Sequence, residues 1–467
     1  MRRSACALLL TLLATTALNA QDASARVDEL FRQWDTRTTP GAAVLVLQRG
    51  VAVHAQGYGM ADLEHGVAID TRTVFDIASV SKQFGAMAIA LLEAEGRLTL
   101  DDDVRRHLPE LHDFGAVITI RHLVHHTSGI RDWPGTLRIA GWDYQDVLSY
   151  DQILRMAFAQ RELNFRPGTE YAYSNTGYNL LAEIVRRVSG RSFREFTEER
   201  IFRPLGMRDT HFHDDHTMIV PRRAASYRRT ADGTYRHVPN NLTALGSSSL
   251  FTTVEDLARW VANFGAGTVG GARVVARTHQ RGVLARGDTI AYAFGQSVGT
   301  YRGVPSVSHT GSWAGYRTIL QRFPQHDLAI IILANTAEIN TTMLAQRIAD
   351  SYLGTAAAPA AVTAPVTRAA DAPAPPRWTP SADELHQLAG TYTSAELMTA
   401  WSLTVRDGRL VAAHFRAGDV PLQPTTRDRF QAGLFGEMRF ERDAAGRVTG
   451  FTANAERVRG LRFLRQN

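Results

Sequence analysis

The most informative chemical feature of this sequence is its use of lysine. Of the 52 basic residues in the chain, Lys82 is a lysine and all the others are arginines. A lysine amine can lose its proton when burial lowers its pKa, so it can act as a base or proton relay, whereas arginine stays protonated. The retained lysine therefore indicates a catalytic requirement at Lys82. The alternative is an arginine-biased composition in which one lysine carries no function.

A serine lies three residues before this lysine. Ser79 and Lys82 form an S-x-x-K tetrad, and residues three apart lie on the same face of a helix. The apolar residues 78–95, followed by Gly96, predict a mostly buried helix with Ser79 in its first turn. The helix dipole would favour a developing anion there. A serine hydroxyl is a weak nucleophile, and the adjacent amine could serve as its base.

The elements around the tetrad predict a mixed α/β (α+β) domain. Two β-branched runs that begin at Ala42 and Val51 are joined across Gly50 as a hairpin. Further strand-like runs precede a helix over residues 340–353, and they cover residues 291–298, 306–310, 316–322 and 328–334. Strands at both ends with helices between them predict a mainly antiparallel sheet flanked by helices, not a doubly wound parallel sheet.

Composition divides the chain into four parts. Residues 1–20 have the basic start, apolar stretch and small residues of a signal peptide, which predicts export to the periplasm or out of the cell. The Ala/Pro-rich residues 355–380 predict a linker. This linker would separate a large domain, 26–354, from a small one, 381–467. Short strands and turns in the small domain predict an all-β barrel or sandwich.

Several classes of partner and chemistry are excluded by composition. The only cysteine, Cys6, lies in the predicted signal peptide, so the mature chain would have no thiol for catalysis or disulfides. The pI is about 9.6, but the arginines are dispersed and lack a nucleic-acid-binding motif, so we expect no nucleic acid partner. No run after the signal is long enough for a bilayer, so we expect no stable membrane insertion. The oligomeric state is left open.

Three motifs carry a family resemblance. The S-x-x-K tetrad is followed by a Y-x-N motif at Tyr173 and Asn175 and by an H-T-G motif at His309. Their order over about residues 30–350 resembles that of the serine β-lactamase-related hydrolases. That family includes class C β-lactamases, D-alanyl-D-alanine carboxypeptidases, D-aminopeptidases and esterases. The resemblance implies a β-lactamase/transpeptidase-like fold, and the C-terminal part resembles the lipocalin-like modules that follow some of these domains.

The resemblance also implies a role for each motif residue. Ser79 would attack a carbonyl carbon and form an acyl-enzyme, with Tyr173 as general base in a proton network with Lys82. Asn175 would orient Lys82 and the substrate amide. His309 would complete the proton and charge network on the opposite wall.

The H-T-G strand would line the substrate. Thr310 and Gly311 follow the histidine, and the backbone N–H groups of Ser79 and Ser312 would form the oxyanion hole. Many β-lactamases have a lysine where this chain has His309, whose reference pKa near 6.5 makes it only fractionally charged at neutral pH. We therefore expect activity on carboxylate-bearing substrates to fall as pH rises through the pKa of His309. A flat profile from pH 6 to 8 would contradict this role.

The sequence also contains a candidate metal-binding motif. Residues 211–216 read H-x-H-x-D-H, which is similar to the zinc signature of metallo-β-lactamase-like hydrolases. The motif follows residues 204–210, however, which match the serine-family pattern. His122, His125 and His126 would share a helical face, and we expect structural roles for them. We predict no metal and no other cofactor.

These observations predict an exported serine hydrolase that works through an acyl-enzyme on Ser79. The substrate would be a small molecule or peptide: a D-amino-acid peptide, an ester or a β-lactam. D-alanyl peptidase-like or esterase activity is preferred. The alternatives are a class C-like β-lactamase and a penicillin-binding sensor or scaffold with little turnover.

Overall fold

The computed structural model describes residues 22–354, 378–455 and 457–466. The predicted signal peptide and most of the predicted linker lie outside these residues. The described chain forms two compact units, each discontinuous in sequence. The first contains residues 22–98, 185–282 and 289–354, and the second contains residues 99–184, 283–288 and 378–466. The domain limits predicted from composition, 26–354 and 381–467, stay a prediction.

Strands and helices follow one another along the described chain. In chain order the strands are β1 (Ala42–Gln48), β2 (Val51–Tyr58), β3 (Met60–Asp62), β4 (Val67–Ala68), β5 (Phe75–Asp76), β6 (His211–Phe212), β7 (Tyr227–Arg229), β8 (Tyr235–His237), β9 (Leu250–Thr252), β10 (Ser297–Tyr301), β11 (Val304–Trp313), β12 (Tyr316–Phe323), β13 (Leu328–Ala334), β14 (Gly390–Ser394), β15 (Thr399–Arg406), β16 (Arg409–His414), β17 (Gly418–Pro421), β18 (Gln423–Thr426), β19 (Arg429–Ala432), β20 (Gly436–Arg442), β21 (Val448–Ala455) and β22 (Val458–Arg465). The α-helices are α1 (residues 22–31), α2 (Lys82–Ala94), α3 (Ile120–Val124), α4 (Trp133–Ile139), α5 (Tyr150–Ala159), α6 (Asn175–Ser189), α7 (Phe193–Thr197), α8 (Arg203–Leu205), α9 (Val254–Ala266), α10 (Gly271–Arg277), α11 (Thr341–Leu353) and α12 (Ala382–Leu388).

The first unit is built on a six-stranded antiparallel sheet with the order β10-β11-β12-β13-β1-β2. The central strands β1 and β13 are apolar and buried along nearly their whole length, because helices cover both faces of the sheet. Helices α1 and α11 pack on one face through a cluster that includes Phe31, Val44, Ile332 and Ile348. Helix α9 contacts β1 and β13. This arrangement confirms the predicted antiparallel sheet with flanking helices.

The predicted helix that carries the tetrad is confirmed with one refinement. A 3₁₀ turn over Ala78–Ser81 comes first, and α2 then continues from Lys82 to Ala94. The chain leaves the helix through Gly96, whose φ of +71° is a left-handed conformation that glycine adopts without steric cost. The turn places Ser79 at the start of the helix and buries Lys82 at its first residue.

One predicted strand is wrong. Residues 291–298 were expected to form a strand, but β10 begins at Ser297 and residues 291–296 form an irregular segment. The apolar composition that suggested a strand reflects burial instead. In this segment Tyr292 contacts His309, and Gln296 contacts Arg322. The other predicted runs lie within β11, β12 and β13, as expected.

The second unit combines short helices with a nine-stranded antiparallel sheet. The strand order is β17-β16-β15-β14-β22-β21-β20-β19-β18, which forms the predicted small all-β domain as a nearly closed barrel. Its interior holds many aromatic side chains, including Tyr392, Trp401, Phe435, Phe440, Phe451 and Phe463. The Trp401 Nε1 donates a hydrogen bond of 2.9 Å to the carbonyl of Ile139 at the end of α4.

Among the described helices, none is both long and apolar enough to cross a membrane.

Candidate active site

The turn that carries Ser79 is held by its neighbours. The buried carboxylate of Asp76 accepts a 2.7 Å hydrogen bond from the N–H of Ala78, and Asn240 donates to its other oxygen at 2.8 Å. Ala78 has a φ of +47°, a conformation that is costly for a residue with a Cβ and that these contacts maintain. The Ser81 hydroxyl donates to the carbonyl of Ala78 from within the turn. The partly exposed hydroxyl of Ser79 is therefore presented on a fixed backbone.

Lys82 lies directly beneath this hydroxyl. Its side chain is fully buried, and its Nζ donates to Ser79 Oγ at 3.1 Å. The same Nζ donates to the backbone carbonyl of Ser247 at 2.7 Å. The second bond fixes the amine against the serine, because moving it would leave a buried carbonyl without its donor. The tetrad thus brings the lysine amine and the serine hydroxyl within hydrogen-bond distance, as its spacing predicts, and their roles as base and nucleophile stay a prediction.

Strand β11 runs beside the nucleophile turn. A Cβ added at Gly311 would lie 2.2 Å from the carbonyl oxygen of Ile77, so only glycine allows this approach. The Thr318 hydroxyl donates to the same carbonyl at 2.9 Å. Thr310 and Ser312, on either side of the glycine, are exposed. The implied oxyanion role of the Ser79 and Ser312 backbones stays a prediction.

His309 is neutral in this arrangement. Its Nδ1 lies 2.7 Å from the carbonyl oxygen of Thr310, which can only accept, so Nδ1 carries the proton. Its Nε2 lies 3.0 Å from the hydroxyl of Tyr292, which can donate to it. Burial, and secondarily the charge of Lys82, lowers the pKa of His309 to about 3. The expectation of a fractionally charged His309 at neutral pH is therefore wrong, because the sequence did not reveal that this residue is buried, with 7% of its surface exposed.

The Y-x-N residues belong to the second unit. Asn175 donates from its backbone N–H to Asp132 Oδ1 at 2.7 Å and from its side-chain Nδ2 to the same oxygen at 2.9 Å. Asp132 is 3% exposed. Because the Nδ2 of Asn175 is directed at the Asp132 carboxylate, the other end of the Asn175 amide, its own Oδ1, is directed away from Asp132 and can accept a hydrogen bond. The Tyr173 ring lies 4.2 Å, centroid to centroid, from the ring of His126.

An arginine from the C-terminal sheet reaches this group. Arg457 follows β21 in the hairpin to β22, and its Nη1 donates to Asp132 Oδ2 at 3.2 Å. Its guanidinium carbon lies 5.1 Å from the centroid of the Tyr173 ring, a cation–π arrangement. Its backbone carbonyl accepts from the Asn164 Nδ2 at 2.9 Å. Within the second unit, the hairpin therefore braces the carboxylate that holds Asn175.

Sequence reasoning missed Asp132 and Arg457. Asp132 precedes Trp133 and Pro134, a pattern typical of a helix start. The pattern therefore predicts that Asp132 is an N-cap residue, and it gives no sign of the contact with Asn175. No local pattern distinguishes Arg457 from the other arginines, because its partners are about 300 positions away in the sequence. In total, the structure places Ser79, Lys82 and His309 in the first unit, and Tyr173 and Asn175 in the second.

The H-x-H-x-D-H segment has other partners. The Nε2 of His211 lies 3.4 Å from the Nδ1 of His213, and burial lowers the pKa of each histidine to about 4. Asp214 pairs with Arg194 at 2.7 Å. Of the described residues, no group of three or more His, Cys, Asp or Glu side chains is placed to hold a metal ion.

The neighbouring histidines take part in local hydrogen bonds. His122 completes the capping box at the start of α3 by accepting from the N–H of Thr119. His125 Nδ1 lies 3.0 Å from the carbonyl of Arg121. His126 Nδ1 accepts from the N–H of Ser174 at 3.1 Å.

A serine hydroxyl on a helix-initiating turn, a buried lysine within hydrogen-bond distance and a flanking sheet strand are the parts of a serine hydrolase. The Beta-lactamase family model matches residues 27–353. The chain belongs to the β-lactamase family, and it is a serine hydrolase.

Curated relatives and solved structures agree with this placement. A penicillin-binding protein of Bacillus subtilis (strain 168) is 29% identical over 337 residues, which cover 68% of this chain and 73% of the relative. The D-aminopeptidase of Gluconobacter oxydans (strain 621H) is 26% identical over 63% of this chain, which spans only 56% of that enzyme.

Two solved structures share the fold at 22% identity. The octameric penicillin-binding protein homologue from Pyrococcus abyssi has a TM-score of 0.61 and covers 92% of this chain and 96% of its own. The D-amino acid amidase from Ochrobactrum anthropi SV3 has a TM-score of 0.62 and covers 72% of this chain and 100% of its own.

Proposed function

We propose that this protein hydrolyses amides and short peptides of D-amino acids through an acyl-enzyme on Ser79. The observation that carries the proposal is the 3.1 Å hydrogen bond from the buried Lys82 Nζ to Ser79 Oγ, with the amine fixed by Ser247. A fixed amine beside a hydroxyl supports nucleophilic attack more strongly than a solvated surface pair would, because the two heavy atoms are already held within hydrogen-bond distance.

The proposed reaction has two halves. In the first, Ser79 Oγ bonds to the carbonyl carbon, its proton passes to the Lys82 network, and the C–N bond breaks as the leaving amine takes up a proton. In the second, water adds to the ester carbon, loses its proton to the base, and releases the acid while Ser79 regains its hydrogen. Tyr173 keeps the base role that the family resemblance gives it, and Asn175 keeps the role of orienting the substrate amide.

The neutral state of His309 supports amides and esters over substrates that carry a carboxylate next to the scissile bond. A permanent cation in the H-T-G motif would pair with such a carboxylate, and a neutral imidazole supplies no such charge. The names of two similar proteins, a D-aminopeptidase and a D-amino acid amidase, support the same substrate class. Export of the protein, which rests on the signal peptide predicted at residues 1–20, is part of the proposal.

A substrate panel tests this function. Purified protein is assayed with D- and L-phenylalaninamide, D-alanyl p-nitroanilide, a p-nitrophenyl ester, an acylated D-alanyl-D-alanine peptide and a chromogenic cephalosporin. We expect turnover of the D-amide and the ester, a clear preference for the D over the L amide, and little turnover of the last two. Ser79→Ala should be inactive on all of them. Ser297→Ala, which removes an exposed serine from β10 of the same unit, is the matched control and should retain full activity.

Preference for the carboxylate-bearing peptide or for the cephalosporin would contradict the proposed substrate class. The match to a penicillin-binding protein makes a penicillin-binding sensor the second candidate. Intact-protein mass spectrometry after penicillin exposure separates the two. An adduct on Ser79 that persists for hours, together with no amide turnover, would favour the sensor.

A further inference from the structure

A cavity lies away from the motif residues, within the first unit. It has a volume of about 750 Å³ and lies between helix α9 and the ends of strands β1, β12 and β13. None of the residues that line it belongs to the S-x-x-K, Y-x-N or H-T-G motifs. Its walls are mostly apolar and include Leu45, Leu47, Val261, Ala262, Phe264 and Leu328. The volume falls in the range of sites that hold small organic ligands.

Two arginines, Arg259 and Arg322, line this cavity together with the acidic residues Glu255 and Asp327. Arg322, on β12 between Val307 of β11 and Ala329 of β13, lines the cavity and is only 5% exposed. Its guanidinium carbon lies 3.5 Å from the centroid of the Phe264 ring, which holds the guanidinium plane in place. An arginine at an inward-facing position of a central strand is unusual, because a buried charge is costly unless an anion compensates it.

Every hydrogen-bond acceptor that the described residues offer to Arg322 is neutral. Its Nη2 donates to His279 Nε2 at 3.0 Å and to Gln296 Oε1 at 2.6 Å. His279 lies with Nδ1 3.0 Å from the carbonyl of Val275, so Nδ1 carries the proton and Nε2 is the uncharged acceptor. The Nε of Arg322 is buried and has no hydrogen-bond partner in the described chain.

The charge is consequently uncompensated on the protein side. No Asp or Glu carboxylate of the described residues pairs with Arg322, and burial alone lowers its pKa to about 9. The guanidinium remains protonated at neutral pH. The guanidinium group of Arg322 has the geometry that normally pairs with a carboxylate. Here its Nη2 is bound to neutral groups, and its Nε–H has no acceptor in the part of the chain that the structure describes.

We propose that this cavity binds a monocarboxylate with an aliphatic chain, with the carboxylate on Arg322 and the chain along the walls formed by β1 and α9. A carboxylate in the cavity neutralises the guanidinium of Arg322, for which the described residues supply no anion, and the apolar walls favour a hydrocarbon body over a polar one. The unpaired charge of Arg322 selects an anion, and the wall chemistry selects its tail. The ligand class is independent of the substrate of Ser79.

Isothermal titration calorimetry of the full chain with sodium decanoate tests the site. We expect one equivalent of decanoate to bind, and decanamide, which has the same chain without the charge, to bind about tenfold or more weaker. Decanoate should raise the melting temperature of the protein, as a ligand specific for the folded state does. Absence of binding, or equal affinity for the acid and the amide, would overturn the proposal.

Three variants locate the binding. Arg322→Met keeps an unbranched side chain of similar length and removes the guanidinium group, and it should weaken the binding of decanoate about tenfold to a hundredfold. Ala262→Trp fills the cavity from an exposed helix position and should abolish binding with Arg322 intact, so it tests the site even if the first variant folds poorly. Ser79→Ala should bind decanoate as the wild type does. Unchanged affinity in both cavity variants, or loss of binding in Ser79→Ala, would refute the assignment.

Discussion

His309 offers the sharpest test of how burial sets the chemistry of this site. The structure predicts that the imidazole stays neutral from pH 6 to pH 8, because burial and the nearby charge of Lys82 lower its pKa to about 3. The perturbation is His309→Gln, which keeps one donor and one acceptor and removes the titration. The quantity to compare is the ratio of kcat/KM between wild type and variant at each pH.

The magnitude follows from the two pKa values. With the reference pKa of 6.5, about 76% of the imidazole would be protonated at pH 6 and about 3% at pH 8, a change of about 25-fold. With a pKa of about 3, the protonated fraction is about 0.1% at pH 6, and the neutral fraction is constant. The ratio of wild type to His309→Gln should therefore be flat from pH 6 to 8, whatever other groups titrate. A ratio that changes tenfold or more across this range would refute the neutral assignment.

The lowered pKa of His309 also makes the folding stability depend on pH. The unfolded chain protonates His309 below about pH 6.5 and the folded chain does not, so folding stability is full above that pH and falls as the pH drops toward 3. Between pH 8 and pH 5 the wild type should lose about 2 kcal/mol of unfolding free energy relative to His309→Gln. Urea denaturation at the two pH values measures this difference. Equal pH dependence in the two proteins would show that the ring is not held neutral.

Three further predictions follow from the contacts around the site. Lys82→Arg places a cation beside Ser79 that cannot release its proton to become a base, so it should abolish acylation of Ser79 in a stopped-flow ester assay. An active variant would contradict the role of the amine. Arg457→Met removes the brace on Asp132 and should lower kcat about tenfold with a small change in melting temperature, because the Arg457 side chain is 41% exposed. The control is Arg462→Met, which removes an exposed pair with Glu162, and equal kcat in the two variants would exclude a positioning role. Gly311→Ala would push β11 away from the turn that carries Ser79 and should lower kcat/KM about a hundredfold or more. The control is Gly299→Ala on β10, where a Cβ meets nothing within 4 Å, and it should leave kcat/KM unchanged. Similar activities in the two variants would show that the turn can relax.

The sequence predicted the parts of the site that depend on short spacing. Ser79 and Lys82 meet because three residues make one turn, and the hairpin of β1 and β2 follows from two β-branched runs around Gly50. The small all-β domain was recognisable from short apolar strands that alternate with turns. The contacts within the tetrad and the hairpin join residues that are close in the chain.

The failures share a physical cause. The charge state of His309 depends on burial by elements that are distant in sequence, and composition does not reveal it. Asp132 and Arg457 are separated by 325 positions, so no pattern along the chain links them. Residues 291–296 have the composition of a strand, but their side chains contact His309 and Arg322 and replace regular pairing.

The central claim is that Ser79, activated by the buried Lys82, is the residue that becomes acylated. Rapid acid quenching during turnover of a p-nitrophenyl ester, followed by peptide mapping with mass spectrometry, tests it most directly. We predict an acyl adduct on the peptide that contains Ser79 in the wild type, and no adduct in Ser79→Ala or Lys82→Ala. An adduct on another residue, or undiminished ester turnover by Ser79→Ala, would contradict the account.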